Sequence, residues 1–115
     1  MLSSKLFASS DRSVRIALCE NVNQYINKMS EKVIRENIFP HLANGFTDGS
    51  AIIREMTLRS ILSIVPKLNE KLINNDLLRY LAKLQTDEEP GIRVNCIVCL
   101  GKISTHLNEN VTIND

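Results

Sequence analysis

The segment IIREMTLRSILSIVPKL, from Ile52 to Leu68, recurs in altered form on either side of itself and decides the fold. Its relatives are SVRIALCENVNQYINKM, residues 13–29, and GIRVNCIVCLGKISTHL, residues 91–107. Aligning the segments places an arginine in the same column at intervals of 39 residues: Arg15, Arg54 and Arg93. Apolar residues follow at steps of 8, 11 and 15 from the residue before this arginine, which is the spacing of one apolar helix face. The sequence therefore predicts a set of related amphipathic helices.

A second unit precedes two of these helices. IFPHLANGFTD, residues 38–48, aligns with LLRYLAKLQTD, residues 77–87, at the same offset. Each copy ends in an aspartate, Asp48 or Asp87, which can cap the helix that follows. For the first repeat we expect only the tail of a leading helix, around Leu6 and Phe7. The repeating unit is therefore a helix, a short aspartate-containing turn and a second helix.

A helical hairpin of about 40 residues with this turn is the HEAT pattern, which stacks into an α-solenoid. The predicted fold is an all-α superhelix of the HEAT or armadillo-like type, built from about two and a half to three hairpins. Residues 1–115 form a single domain in this interpretation, with repeats at 1–30 (partial), 31–69 and 70–109. The aspartates and arginines are expected to form a ladder of charge-assisted hydrogen bonds between neighbouring turns: Asp48, Asp87, Arg15, Arg54 and Arg93.

Solenoids need about three or more repeats for stability. We therefore expect this chain to be a piece of a longer array, with apolar end faces that favour self-association. At 115 residues and a formal net charge of +1, it carries no bulk charge that indicates a nucleic-acid or membrane partner. No apolar run approaches a membrane span, and three irregularly spaced cysteines favour reduced thiols in the cytosol or nucleus.

The motif Cys96-x-x-Cys99 lies inside an apolar run and could indicate a metal or redox site. Both residues fall on the apolar face of their helix, and a structural zinc site needs four ligands. Cys19 is two repeats away, and His106 could add one ligand at most. The sequence therefore favours packing, without metal, cofactor or small-molecule substrate. Neither His106 nor His41 has a catalytic partner by spacing, so we predict that the chain is not an enzyme.

Local signals give further expectations. Pro40 should kink a leading helix and Pro66 should bend or end a second helix. Asn74-Asn75-Asp76 can start the last leading helix. Gly101, inside the last second helix, is expected to allow close approach of a neighbouring helix.

The second half of the chain resembles the HEAT segment of the Scy-like, or N-terminal kinase-like, pseudokinases. The resemblance runs from about residue 38 to 107 and depends on FPHLANGFTD, the IRE at residues 53–55, the PKLNE at 66–70 and the IR-x-N-x-x-VCLGKI block at 92–103. It implies a cytoplasmic scaffold, located at the Golgi or the nuclear pore. Some members are linked to coatomer and Golgi–ER vesicle trafficking, and a fungal branch to nuclear tRNA export. The resemblance covers only the HEAT segment, so activities assigned to the family's kinase-like domain and basic tail are not carried over to this sequence.

These observations leave alternative functions. The first is a non-catalytic protein-interaction scaffold that binds coatomer or other trafficking or export factors through the outward residues of the second helices. The second is direct tRNA binding, which the near-neutral charge and the lack of stacking aromatics disfavour. It would use the basic side chains that cluster near one set of helices: Arg12, Arg15, Arg54, Arg59, Lys67, Arg93 and Lys102. Either surface would use the same outward residues: Arg59, Lys67 and Lys102.

Overall fold

The computed structural model describes the backbone of residues 11–114 and the side chains of residues 11–108. The expected helix tail around Leu6 and Phe7 lies outside the described residues. Within them, the chain forms five helical runs. Run α1 comprises Arg12–Glu20, Val22–Tyr25 and a 3₁₀ turn at Ile26–Lys28. Run α2 comprises Glu31–Val33, a π-helical turn at Ile34–Ile38, Phe39–Leu42 and a 3₁₀ turn at Ala43–Thr47. Run α3 comprises Ala51–Ile64 and a 3₁₀ turn at Val65–Lys67. Run α4 comprises Glu70–Leu72, a π-helical turn at Ile73–Leu77 and Leu78–Leu84, and α5 is Pro90–Asn114.

The leading helices α2 and α4 begin with the same cap, 39 residues apart. The Ser30 side chain accepts a hydrogen bond from the Val33 N–H at 3.2 Å, and the Asn69 side chain accepts one from the Leu72 N–H at 2.9 Å. Such caps satisfy N–H groups that have no partner within the helix. The expected start of the last leading helix at Asn74-Asn75-Asp76 is therefore wrong. Asn69, five residues earlier, already caps the helix by accepting the Leu72 N–H.

Each leading helix carries a π-helical turn at the same point of the repeat. Ile34 and Ile38 at the ends of the first turn are fully buried, as are Ile73 and Leu77 in the second. Pro40 follows the first turn, but the second has no proline in the equivalent place. The irregularity is therefore a property of the repeat, which buries an apolar residue at both ends of the turn, and Pro40 is only tolerated there.

The second helices tighten at their ends in the same periodic way. Pro66 lies in the 3₁₀ turn Val65–Lys67, where α3 ends, in agreement with the expectation that this proline bends or ends the helix. The equivalent 3₁₀ turn Ile26–Lys28 ends the helical part of α1 without a proline. Burial of Ile26 and Val65 at these turns anchors both helix ends in the core.

Helix α3 lies at the centre of the molecule and packs against α1 on one side and α5 on the other. The molecule measures 45 × 37 × 22 Å, and its thickness is about two helix diameters. Its core is mainly aliphatic, with Phe39 and Phe46 also buried, and the following residues of the second and third repeats are fully buried: Leu58, Ile61, Ile64, Ile73, Leu77 and Leu81.

Close helix approach occurs at a different glycine from the one expected. Gly101 is exposed, and a methyl group there would meet nothing within 4 Å, so the expectation for this residue is wrong. Gly45 is buried, and a methyl group there would overlap Oγ1 of Thr57 on α3 and lie 3.0 Å from its Cβ. The closing 3₁₀ turn of α2 therefore needs a residue without a side chain at this point.

Candidate interaction surface

The turns between leading and second helices position a carboxylate in the same way. Asp48 Oδ1 accepts the N–H of Ser50 at 2.8 Å, and Asp87 Oδ1 accepts the N–H of Glu89 at 3.0 Å. Asp11, ahead of α1, accepts the N–H of Ser13 at 2.9 Å. This bond to the residue two positions on is the usual Asx turn. It fixes the side chain and leaves acceptor capacity for another donor.

Arg54 joins two successive turns. Its Nε and Nη2 donate to the two carboxylate oxygens of Asp87 at 2.9 and 3.2 Å, and its Nη1 donates to the carbonyl of Asp48 at 2.8 Å. Both side chains are largely shielded, with 14% of Arg54 and 8% of Asp87 exposed. The hydrogen bonds from Arg54 lower the pKa of Asp87, and those to Asp87 raise the pKa of Arg54. A forked, charge-assisted pair of this kind is geometrically specific.

The equivalent pair at the preceding junction is looser. Arg15 Nη1 lies 3.8 Å from Asp48 Oδ2, and the 61% exposed side chain of Arg12 donates to Asp48 Oδ1 at 3.2 Å. Asp11 precedes Arg15 by four residues, whereas Asp48 precedes Arg54 by six. The turn before α1 is therefore shorter, and Arg15 lies in a different geometry relative to Asp48.

Arg93 occupies the next position of the same series. Its Nη1 donates to the carbonyl of Asp87 at 2.6 Å, as Arg54 does to Asp48. Among the residues whose side chains the structure describes, no carboxylate lies within ion-pair distance of Arg93. The predicted ladder residues thus divide into the paired Arg15–Asp48 and Arg54–Asp87 and the open Arg93.

The predicted partner-binding cations lie on the second helices. Arg59 is well exposed and pairs with Glu55 one helical turn earlier, at 2.9 Å. Lys102 on α5 is exposed, whereas Lys67 is half-buried at the end of α3. Arg59 and Lys102 face outward and Lys67 lies at the junction with α4, so the three do not form one compact cluster.

Three further lysines, which the sequence reasoning missed, form a row with Lys67. Four lysines flank the turns that join one repeat to the next, at positions that repeat after 39 residues: Lys28 with Lys67, and Lys32 with Lys71. Lys28, Lys32 and Lys71 are exposed. Extending the 39-residue alignment to the basic residues would have identified this row.

The cysteine pair is packed in the core. Cys96 and Cys99 are fully buried, and the Cys96 thiol donates to the carbonyl of Leu81 at 3.4 Å. Burial raises the pKa of Cys96 and raises that of Cys99 to about 12, so neither is a thiolate at neutral pH. The described residues contain no group of His, Cys, Asp or Glu side chains arranged to hold a metal. His106 lies with Nε2 3.4 Å from the Leu68 carbonyl, and His41 lines a cavity of about 20 Å³.

This fold and these turns have counterparts in known proteins. The family model described as Cnd1, non-SMC mitotic condensation complex subunit 1, matches residues 21–115. The chain belongs to this family. It is 45% identical over 58 residues to the "Probable inactive serine/threonine-protein kinase scy1" of Dictyostelium discoideum, which is 50% of this chain and 7% of that protein.

A solved relative extends the comparison to most of the chain. The crystal structure of Cex1p superposes with a TM-score of 0.83 and 39% sequence identity, over 89% of this chain and 19% of that one. Together these matches confirm the all-α superhelix and the resemblance to a Scy-like HEAT segment. The chain spans less than a fifth of either relative's length. Among the described helices, none combines the length and the apolar character that a bilayer crossing requires.

Proposed function

We propose that this HEAT segment is a non-catalytic scaffold that binds proteins of vesicle trafficking, such as coatomer, on the outward face of its second helices. The observation that carries the proposal is the mixed apolar and cationic face of these helices. Ile52, 66% exposed, and Arg59 lie seven residues apart on α3 and therefore share a helix face. Lys102 lies on the adjacent helix α5. A large exposed aliphatic side chain beside cations suits an acidic, partly apolar protein segment.

The relatives support the non-catalytic part of this proposal. The Dictyostelium protein is named as an inactive kinase, and the matched segment corresponds to HEAT repeats. The thiols of Cys96 and Cys99 are buried and protonated, and the histidines contact backbone or line a small cavity. These side chains offer no convergent acid, base and nucleophile. As part of the same proposal, the scaffold acts in the cytoplasm, at the Golgi or the nuclear pore.

A titration of the labelled chain with purified coatomer tests the scaffold proposal. We expect saturable binding that weakens about tenfold or more in the Arg59→Ala/Lys102→Ala variant, because truncated contact residues mainly raise the off-rate. The matched control is Arg79→Ala/Lys83→Ala, which removes exposed cations from α4 in the other helical layer. Absence of binding, or equal loss in both variants, would contradict the proposal.

A second candidate function is tRNA binding, in an adaptor for nuclear tRNA export. It is favoured by the row of lysines at the junctions between repeats, where a phosphate backbone could follow successive turns. Against it, four of the basic residues first considered already contact carboxylates: Arg12, Arg15, Arg54 and Arg59.

Fluorescence anisotropy with tRNA at two salt concentrations tests this candidate. Binding through the lysine row should fall steeply with salt and lose slope in the Lys28→Ala/Lys32→Ala/Lys71→Ala variant. The Arg79→Ala/Lys83→Ala protein should retain the slope of the wild type. A flat salt response, or no binding at low salt, would reject tRNA as a direct ligand.

A further inference from the structure

Helix α1 is interrupted at Asn21, which lies outside both of its α-helical segments. The Tyr25 hydroxyl donates to the Leu18 carbonyl at 2.6 Å near this point. From α3, Ser60 Oγ lies 3.2 Å from the carbonyl of Cys19. Helices change direction where side chains insert into the ladder of backbone hydrogen bonds. The packing of α1 on α3 is therefore irregular here, and a groove lies beside the interruption.

This groove between α1 and α3 has a volume of about 310 Å³, within the range of clefts that hold ligands. Cys19 lines it, at the register that holds the fully buried Leu58 on α3 and the 68% exposed Ile97 on α5. The half-buried Met56 and the small side chain of Ser60 line it from α3. A thioether adapts to apolar groups of different shapes. The groove can therefore receive an aliphatic side chain from a partner.

Two opposite charges lie on the two walls of the groove. Glu20 on α1 and Arg59 on α3 occupy the same register, 39 residues apart. Within residues 11–108, no cation lies within ion-pair distance of the Glu20 carboxylate. Arg59 uses its Nη2 for Glu55, and its side chain is 68% exposed, so its other nitrogen atoms can still donate. The groove thus presents an acceptor on one side and a donor on the other.

We propose that the groove binds an extended segment of a partner protein in which an aliphatic residue lies between a basic and an acidic residue. The aliphatic side chain packs beside Met56, the basic side chain donates to Glu20, and the carboxylate accepts from Arg59. This inference rests on the proposed function, because Arg59 belongs to the scaffold face, and it names the kind of segment that the face binds.

The shape of the groove favours a polypeptide over a small molecule. A small ligand is normally enclosed over most of its surface, whereas both charged walls here are exposed. Packed helices lie about 8–10 Å apart, and an extended chain advances about 3.3 Å per residue. The basic and acidic residues of the segment should therefore be about three positions apart.

Selection of a random heptapeptide library, displayed on phage, on the immobilised chain tests the groove. We expect enrichment of peptides that carry an aliphatic residue between a basic and an acidic residue about three positions apart. In fluorescence anisotropy, the best of these peptides should bind the Glu20→Arg variant about tenfold or more weakly than the wild type, because like charges then face each other.

Charge reversals separate the two walls in the same selection. Glu20→Arg should replace the basic residue of the selected peptides by an acidic one, and Arg59→Glu should replace the acidic residue by a basic one. Glu20→Gln should only remove the preference for the basic residue. Both side chains are exposed, so these variants should keep the wild-type circular dichroism spectrum. The matched control is Glu36→Arg on α2, which should select the wild-type pattern.

Cys19 locates the bound peptide, because it lines the groove and is not fully buried, unlike Cys96 and Cys99. The selected peptide should slow maleimide labelling of Cys19 severalfold, as mapped by mass spectrometry. The Glu20→Arg variant, at the same peptide concentration, should lose this protection.

Three results would overturn the inference: no enriched pattern, a pattern that neither charge reversal changes, or binding that leaves Cys19 labelling unchanged. Any of these beside coatomer binding that weakens in Arg59→Ala/Lys102→Ala would leave the scaffold proposal in place and reject only the groove. Selection of the expected peptides by a chain that does not bind coatomer would reject coatomer and keep the groove.

Discussion

The two junctions of this solenoid are built from the same repeat but differ in their contacts. Between α3 and α5, Arg54 holds Asp87 through two hydrogen bonds, and the fully buried Leu58 lies beside them. Between α1 and α3, Arg15 stays 3.8 Å from its aspartate and Cys19 is only half-buried. The second junction combines a shielded ion pair with aliphatic packing, whereas the first depends more on polar contacts.

Polar side chains at the first junction show what replaces aliphatic packing. Ser60 Oγ lies 3.2 Å from the Cys19 carbonyl, and Ser63 Oγ donates to Asn23 Oδ1 at 2.5 Å. A groove of about 310 Å³ remains between these helices. The Ser63–Asn23 hydrogen bond is exposed and contributes little net stability, because water competes for both partners. We therefore expect α1 to detach before the second junction opens.

The largest expected effect comes from the register that contains Leu58. Leu58→Ala should lower the free energy of unfolding by about 3 kcal/mol, since it removes a fully buried aliphatic side chain and leaves a cavity. Cys19→Ala at the first junction should cost about 1 kcal/mol. The measurement is urea unfolding followed by circular dichroism.

Ile97→Ala is the matched control for this register. Because Ile97 is 68% exposed, it should change stability by less than about 0.5 kcal/mol. If Cys19→Ala cost as much as Leu58→Ala, the two junctions would be equally strong and the comparison would fail.

The arginine register gives the next effect. Arg54→Gln should destabilise the protein by about 2 kcal/mol, the size expected for hydrogen bonds to a shielded charged group. Arg15→Gln should cost about 0.5 kcal/mol, as is usual for looser, solvent-screened pairs. Both values come from urea unfolding at neutral pH, and equal losses would contradict the difference in geometry.

The pH dependence gives a second test of the Arg54–Asp87 pair. Arg54 lowers the pKa of Asp87 in the folded protein, so the pair stabilises fully above the ordinary carboxyl pKa and loses its effect as the pH falls through the lowered value. The stability difference between wild type and Arg54→Gln should therefore shrink between neutral pH and about pH 3. A difference that stayed constant would mean that Arg54 acts through packing and not through the charge of Asp87.

The 39-residue period of the sequence was enough to predict the helical hairpins and the burial of Cys96 and Cys99. It also aligned Arg15, Arg54 and Arg93, the arginines that contact the aspartate turns. The period could not predict that Arg54 lies closer to its aspartate than Arg15 does. A turn that is two residues shorter changes the geometry of the ion pair without changing the 39-residue spacing. Nor could it separate Gly45 from Gly101, since the distance from a glycine to a neighbouring helix is a tertiary property. The early start of α4 was missed because Asn69 and Asn74 are equally good caps by residue type.

The two repeats also differ in how their helices approach within a hairpin. The second repeat places Gly45 against Thr57, and the third repeat has Leu84 and Cys96 at the same registers. Gly45→Ala should destabilise the protein by about 2 kcal/mol, because the added methyl group overlaps the Thr57 hydroxyl in a packed interior. Gly49→Ala is the matched control, since a methyl group there meets nothing within 4 Å.

Combining Gly45→Ala with Thr57→Ala tests the source of this cost. The double variant should lose less stability than the sum of the single variants, because the second substitution removes the atom that the first one meets. Additive losses in a double-mutant cycle would place the cost of Gly45→Ala in the backbone and not in the contact with α3.

The smallest effect should be a gain in stability, at a register where α5 differs from α3. Leu62 on α3 packs against the core beside α5, whereas its equivalent Gly101 on α5 is exposed. With open space around it and a helical backbone, Gly101→Ala should stabilise the isolated chain by about 1 kcal/mol, the difference in helix propensity. Urea unfolding measures this gain. An unchanged or lower free energy of unfolding would contradict the open space around Gly101, because the added methyl group would then have to displace a neighbouring side chain.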